Sequence, residues 1–229
     1  MPFDILWAHP RADTGDFRNG IPVQATGHLL YADRIKRIMD IVIVLVAAPP
    51  VLLIVGVLCA LIMLDGHSPF FVQERVGRHG RLFRMLKLRS MVVDAEARLQ
   101  AHLDANPARR LEWDVNQKLR HDPRITRIGR IIRKTSLDEL PQLWNVLVGN
   151  MSIVGPRPMM PCQKALYPGV AYYAMRPGIT GFWQISVRNE SSFAERAQFD
   201  AHYFRDLSFL TDLRVMMRTF GVVLRGTGS

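Results

Sequence analysis

The pattern of apolar and polar positions divides the chain into unlike parts. The most apolar part is Ile41 to Leu64, about 24 residues without Lys, Arg, Asp or Glu. As a straight helix it would reach roughly 36 Å, against about 30 Å for a bilayer core. It therefore predicts a membrane-inserted helix. Pro49 and Pro50 fall inside it, and each removes a helical donor and crowds the preceding turn, so a sharp break is expected there. Arg34, Lys36 and Arg37 precede the run; Arg75, Arg78, Arg81, Arg84, Lys87 and Arg89 follow it. Basic flanks stay on the cytoplasmic side. A re-entrant helix that enters, breaks at the prolines and returns satisfies both flanks. A kinked full crossing and a buried core helix are the alternatives.

Elsewhere the pattern is shorter in period. Residues 69–91 alternate around Gly77 and Gly80 and predict a β-hairpin, with Lys87 and Arg89 as the cations aimed inward. A charged helix over 92–113 is interrupted near Pro107. His121 to Thr126 reads as a turn, and Ile125 to Ile132 as a short amphipathic segment. Ser192-Phe-Ala-Glu195 is a capping-box pattern that opens a helix to about Phe204. Residues 207–224 suit an amphipathic helix, at a membrane surface or as a core helix with a wet face. Residues 1–32 are rich in Gly, Pro, Asp and Arg and predict a loosely held arm without a secretory leader.

The reading is thus α+β and mostly helical: an arm (1–32), a re-entrant membrane helix (33–66) and a catalytic domain with interfacial helices (67–229). A net charge of +10 beside 48% hydrophobic residues points to an anionic partner, either a nucleotide, nucleic acid or a lipid surface. Cys59 and Cys162 form no motif. Neither a phosphate-binding loop, a dinucleotide fingerprint nor a zinc-type cluster is present. A nucleic-acid binder would explain the charge but not the apolar run. A non-catalytic membrane scaffold would explain both, but not the acidic pair described next.

Arg133-Lys-Thr-Ser136-Leu-Asp138-Glu139-Leu-Pro141 places two adjacent carboxylates at an expected helix start, with Arg157 between two prolines further on. One interpretation is a capping box from Ser136 to Glu139. The other is a nucleophile or metal ligand (Asp138) with a helper (Glu139), ionised by the helix dipole. Arg133, Arg157, Arg176 and Arg188 all stand beside turn-forming residues that can aim a cation at phosphate. Hard carboxylate oxygens suit Mg²⁺.

Several motifs occur together and in order: Lys36-Arg-Ile-Met-Asp40, Gln73-Glu-Arg-Val-Gly77, Lys87-Leu-Arg-Ser-Met91, Asp122-Pro-Arg-Ile-Thr126, Arg133 to Asn145, Met151 to Pro158, and Arg176-Pro-Gly-Ile-Thr-Gly181. Through them the chain resembles the bacterial sugar transferases, monotopic phosphoglycosyl transferases that act on polyprenyl phosphate. The match spans most of residues 34–226; where the family often has Gly-Arg-Asn, this chain has Val187-Arg188-Asn189. The resemblance implies that Asp138 attacks a UDP-sugar, releases UMP and carries a phosphosugar that polyprenyl (undecaprenyl) phosphate then takes. It implies Glu139 as second member of the pair, Mg²⁺ at Asp138, and phosphates held by Arg133, Arg157 and Arg188. Lys87, Arg89, Arg176 and Gln184 complete the candidate phosphate- or nucleotide-binding set. The implied setting is the cytoplasmic face of a bacterial inner membrane, with the lipid bilayer as partner, no nucleic acid, and a dimer left open.

Overall fold

A computed structural model of the protein describes residues 31–116, 119, 121–186 and 193–224. The described part is mostly helical. Tyr31–Ile35 forms a wide helical turn that leads into α1, Lys36–Ile62. Helical assignment continues without a gap through Pro49 and Pro50. The expected sharp break is therefore not a division into two helices. Both prolines fix φ near the helical value, so the chain keeps its helical course although two backbone donors are missing.

Most of the middle of α1 is exposed: Val46 is 75% and Leu53 71% accessible. Its two ends are not. Lys36, Asp40 and Val44 are buried at the first end and Ile62 at the other. By length and composition α1 could cross a membrane.

The hairpin forms as the alternation predicts. Strand β1, Phe70–Val76, pairs antiparallel with β2, Leu82–Leu88, with Glu74 opposite Arg84 and Phe71 opposite Lys87. His79 and Gly80 at the tip take left-handed φ angles of 58° and 75°, which twist the two-residue corner to match the strands. Helices α2, Ala95–Ala105, and α3, Pro107–Asn116, pack on each other around Leu99, Leu103, Leu119 and Trp113. Pro107 opens α3, as its missing donor favours. Helix α4, Arg127–Lys134, begins where the Thr126 hydroxyl accepts from the Gly129 amide at 2.8 Å.

Helix α5, Gln142–Leu147, is followed by β3, Ser152–Val154. After α6, Ala171–Ala174, comes β4, Gly178–Thr180, which pairs parallel with β3. The alternation signal does not reveal this pair, because strands of three residues are too short to show a period. Helices α7 (Phe182–Ser186), α8 (Arg196–Arg205) and α9 (Phe209–Leu224) complete the fold. Helix α8 starts later than the capping-box pattern suggests; Ser192 lies outside the described residues, and Glu195 stands at the helix start without a side-chain cap.

The main core gathers Val44 of α1, Met85 of β2, Val146 of α5, Val154 of β3, Tyr203 of α8 and Val215 of α9. Tyr31 joins it at 7% exposure, so the end of the expected loose arm is held; residues 1–30 lie outside the described residues. A second cluster joins Ile62 of α1, Leu88 of β2 and Ile132 of α4. Helix α9 turns Leu210, Met217 and Phe220 outward at 66–69% exposure and buries Asp212 and Val215 on its other face.

Candidate active site

The acidic pair lies in a short turn, Leu137–Glu139, between α4 and α5. Ser136, just before it, holds a left-handed φ of 57° and makes no cap bond. That conformation is costly for a residue with a Cβ. It lets the chain reverse so that Leu137 packs with Ile132 and Leu88 while the two carboxylates face β2. The capping box expected from Ser136 does not form, and neither does a cap by Asp138: α5 begins at Gln142, with Pro141 before it.

The turn is fixed from both sides. Asn145 of α5 is buried and bridges to β2: its amide nitrogen donates to the Arg84 carbonyl at 2.8 Å, and its oxygen accepts from the Leu86 amide at 3.0 Å. Next along β2, Lys87 places its Nζ 3.2 Å from Glu139 Oε1 and 3.9 Å from Asp138 Oδ2. One cation thus serves both acids, although adjacent residues of an α-helix would diverge by about 100°.

Asp138 has its carboxyl pushed above the ordinary value. Burial is the largest cause and the neighbouring Glu139 adds to it, while Lys87 and Arg133 pull the other way. This reverses the sequence-based expectation of dipole stabilisation. The carboxylate depends on Lys87 and Arg133 for its charge, because the turn is not a helix N-terminus.

Arg157 arrives from the other side. Gly155 of the β3 exit is pressed against the β4 entrance: a Cβ on Gly155 would lie 2.4 Å from the Arg176 carbonyl oxygen, and one on Gly178 would lie 2.1 Å from the Gly155 nitrogen. Only glycines allow that approach. The arm that follows carries Arg157 over the Trp183 ring at 5.7 Å. Arg196 lies over the same ring at 4.1 Å and over Phe193 at 5.0 Å. Arg75 of β1 donates to the Pro158 carbonyl at 3.3 Å. These guanidiniums repel one another. Arg75 and Arg196 are each pulled down to about 10, first by burial and next by Arg157. Glu139 is among the groups that favour the charge on Arg75. Arg157 and Arg196 thus share a cationic recess with aromatic walls (Tyr167, Tyr172, Trp183 and Phe193), which buried Asp200 also lines.

Other expected site residues lie elsewhere. Arg89 is bound to Asp65 at 2.6 and 2.7 Å and to the carbonyls of Ser68 and Ile62, so it secures the end of α1. Arg176 donates to the Gly149 carbonyl at 3.1 Å, beside Arg37 and Arg78. Gln184 is buried in α7, and its side-chain oxygen is close to Gly181. Arg188 lies outside the described residues. Arg75 and Arg196 are absent from the sequence-based set. In the chain Arg75 is one of the six cations that follow the apolar run, and only the packing of β1 on the Pro158 arm sets it apart.

Among the described residues no three His, Cys, Asp or Glu side chains converge as a metal site. Asp138 and Glu139 still offer a hard donor set of the size that Mg²⁺ uses when substrate phosphates and water supply the remaining oxygens.

A family model described as bacterial sugar transferase matches residues 31–226. A UDP-galactose-lipid carrier transferase of Erwinia amylovora is 47% identical over 197 residues, 85% of this chain and 41% of that protein. The exopolysaccharide production protein ExoY of Sinorhizobium fredii is 42% identical over 200 residues, 85% of this chain and 87% of its own. An undecaprenyl-phosphate galactose phosphotransferase of Salmonella typhimurium is 44% identical over 200 residues, 85% of this chain and 41% of its own. The chain thus spans less than half the length of two of these relatives and most of the third.

Proposed function

Because the chain belongs to the bacterial sugar transferase family, we propose that it is a phosphoglycosyl transferase. It moves sugar 1-phosphate from a UDP-sugar to undecaprenyl phosphate, on the cytoplasmic face of a bacterial inner membrane, at the first membrane step of exopolysaccharide synthesis. The observation that carries this reading is the Asp138–Glu139 turn held on Lys87, with Arg133 acting on Asp138 and Arg75 standing between Glu139 and Arg157 in charge. The names of the relatives support the acceptor and the reaction class.

Asp138 is the nucleophile. Its carboxylate oxygen attacks the β-phosphorus of the UDP-sugar. The bond from that phosphorus to the bridging oxygen breaks, and UMP leaves with the electron pair. A phosphate oxygen of undecaprenyl phosphate then attacks the aspartyl phosphosugar and the carboxylate departs. Two easier displacements replace one difficult one, and a single site serves two bulky substrates in turn. Lys87 and Arg133 keep Asp138 ionised despite its burial. Glu139 orients Lys87. Arg157 and Arg75 face the nucleotide phosphates. Asp138, with Glu139 beside it, would hold Mg²⁺, which when bound neutralises diphosphate charge.

The re-entrant course of α1 is part of the proposal. A straight helix of this length would reach roughly 40 Å, yet both of its ends dock on one folded body. Lys36 and Asp40 do so at the start, and Ile62 and Asp65 at the finish. That arrangement supports a helix whose ends share one membrane side.

The test is UMP release from a panel of UDP-sugars, including UDP-galactose and UDP-glucose, by protein in native membranes. Asp138→Asn is expected to pellet with membranes and release no UMP. Substantial turnover in that variant would remove Asp138 as nucleophile.

A further inference from the structure

A second polar cluster, buried and apart from the acidic pair, lies where the first turns of α1 meet α9 and β3. Asp212 of α9 is fully buried. Its Oδ2 accepts from Lys36 Nζ at 2.5 Å and from the Tyr31 hydroxyl at 2.6 Å, and its Oδ1 accepts from the Tyr203 hydroxyl at 2.6 Å. Lys36 also sits 5.9 Å above the Tyr203 ring. One turn further along α1, Asp40 is 1% exposed and accepts the Ile153 amide of β3 at 3.0 Å. Between them, Arg37 donates to the carbonyls of Val146 and Leu147 at the end of α5. The membrane helix is therefore bonded directly to the two elements that frame the site. Helix α5 follows the acidic turn. Strand β3 leads within three residues to Arg157.

Apolar residues could join these elements at less cost. Removing an ion from water costs several kcal/mol, and a buried pair often adds no net stability over a hydrophobic replacement. Its best-attested use is to specify one register among several. Here the register in question is that of a lipid-embedded helix against the strand that aims Arg157.

We propose that Lys36, Asp40 and Asp212 are positioning residues. They lock the first turns of α1 to α9 and β3, so that the seating of the helix in lipid sets the aim of the Arg157 arm. Only the kinetic part of the test rests on the transferase reading.

The experiment places nitroxide labels at the native, exposed Cys162, just after the Arg157 arm, and at Val46→Cys on the exposed middle of α1, in a Cys59→Ala background. Pulsed dipolar spectroscopy in nanodiscs reads the distance. The parent protein is expected to give one narrow distribution, and Asp212→Asn and Asp40→Asn to broaden it. In unlabelled protein the same two changes are expected to lower kcat/KM for UMP release on the order of 10²-fold, as misplacement of about 1 Å can do. The apolar pair Lys36→Met/Asp212→Leu, made together with Tyr31→Phe and Tyr203→Phe so that no buried hydroxyl loses its acceptor, should keep the thermal transition while broadening the distance and losing kcat/KM, a split that a purely structural role would not produce. Unchanged distances in Asp212→Asn and Asp40→Asn overturn the proposal whatever the activity. So does an apolar pair with parental distance and kcat/KM. Broadened distances in a protein that releases no UMP from any UDP-sugar would sink the assigned reaction and leave the positioning role standing.

Discussion

Lys87 Nζ lies 3.2 Å from Glu139 Oε1, and the same ammonium is 3.9 Å from Asp138 Oδ2. The hairpin strand that runs back toward the membrane helix, β2, therefore supplies the cation on which both acids converge. Two residues further on, Arg89 takes the opposite role and grips Asp65 at the end of α1. Lys87→Met is expected to lower kcat/KM for UMP release about 10²-fold, the scale seen when one preorganised donor is removed. Arg89→Ala is expected to lower the thermal transition and leave the KM for the UDP-sugar unchanged. Steady-state kinetics and thermal unfolding on both variants separate the two. A raised KM in Arg89→Ala would return Arg89 to the binding set.

Buried Asn145 holds the acidic turn to the hairpin through two partly buried bonds. Asn145→Leu leaves the Leu86 amide and the Arg84 carbonyl without that partner. Each orphaned group costs about 1–3 kcal/mol. Denaturant unfolding should show a loss of that order, with kcat reduced because Lys87 follows Leu86 directly. Stability equal to that of the parent protein would contradict the bridge.

Asp200 titrates high, at about 7, because burial outweighs the Tyr167 hydrogen bond and the Arg196 charge. Its native value lies above the unfolded one. The stability it contributes is fully present below about pH 4 and is lost as pH rises through 7. Asp200→Asn keeps an acceptor for the Tyr167 hydroxyl and cannot ionise. Thermal unfolding at pH 5 and pH 8 should show a smaller fall in the variant than in the parent protein. Equal falls would place the native value of Asp200 near that of an exposed carboxyl.

The two ends of α1 should report one membrane side. Cysteines placed at Arg34 and at Leu64, both exposed, in a background without Cys59 and Cys162, are expected to react with an impermeant maleimide in inside-out vesicles and not in intact cells. Labelling from opposite sides would replace the re-entrant course with a full crossing.

The apolar run, the hairpin and the amphipathic last helix were all legible in the chain, because each is a local period imposed by water or lipid on one segment. The motif order from Lys36 to Gly181 identified the family before any coordinates. The acidic pair was visible too, but its surroundings were misread. A Ser-to-Glu spacing looks the same whether or not a cap forms, and only the left-handed Ser136 and the seat of Leu137 on Ile132 and Leu88 show the pair facing Lys87. Arg75 and Arg89 likewise share one strand-like basic stretch and differ only in what packs against them. The sequence by itself determined which helix is long and apolar enough to enter a membrane, where the β1–β2 hairpin lies and that two acids stand side by side, since those properties belong to residues and their near neighbours. Tertiary structure decided which cation meets which acid, that Arg196 joins Arg157 over Trp183, and that Asp212 closes on Lys36 from 176 residues away. Those pairings depend on burial and on distances through space, and no local pattern encodes them.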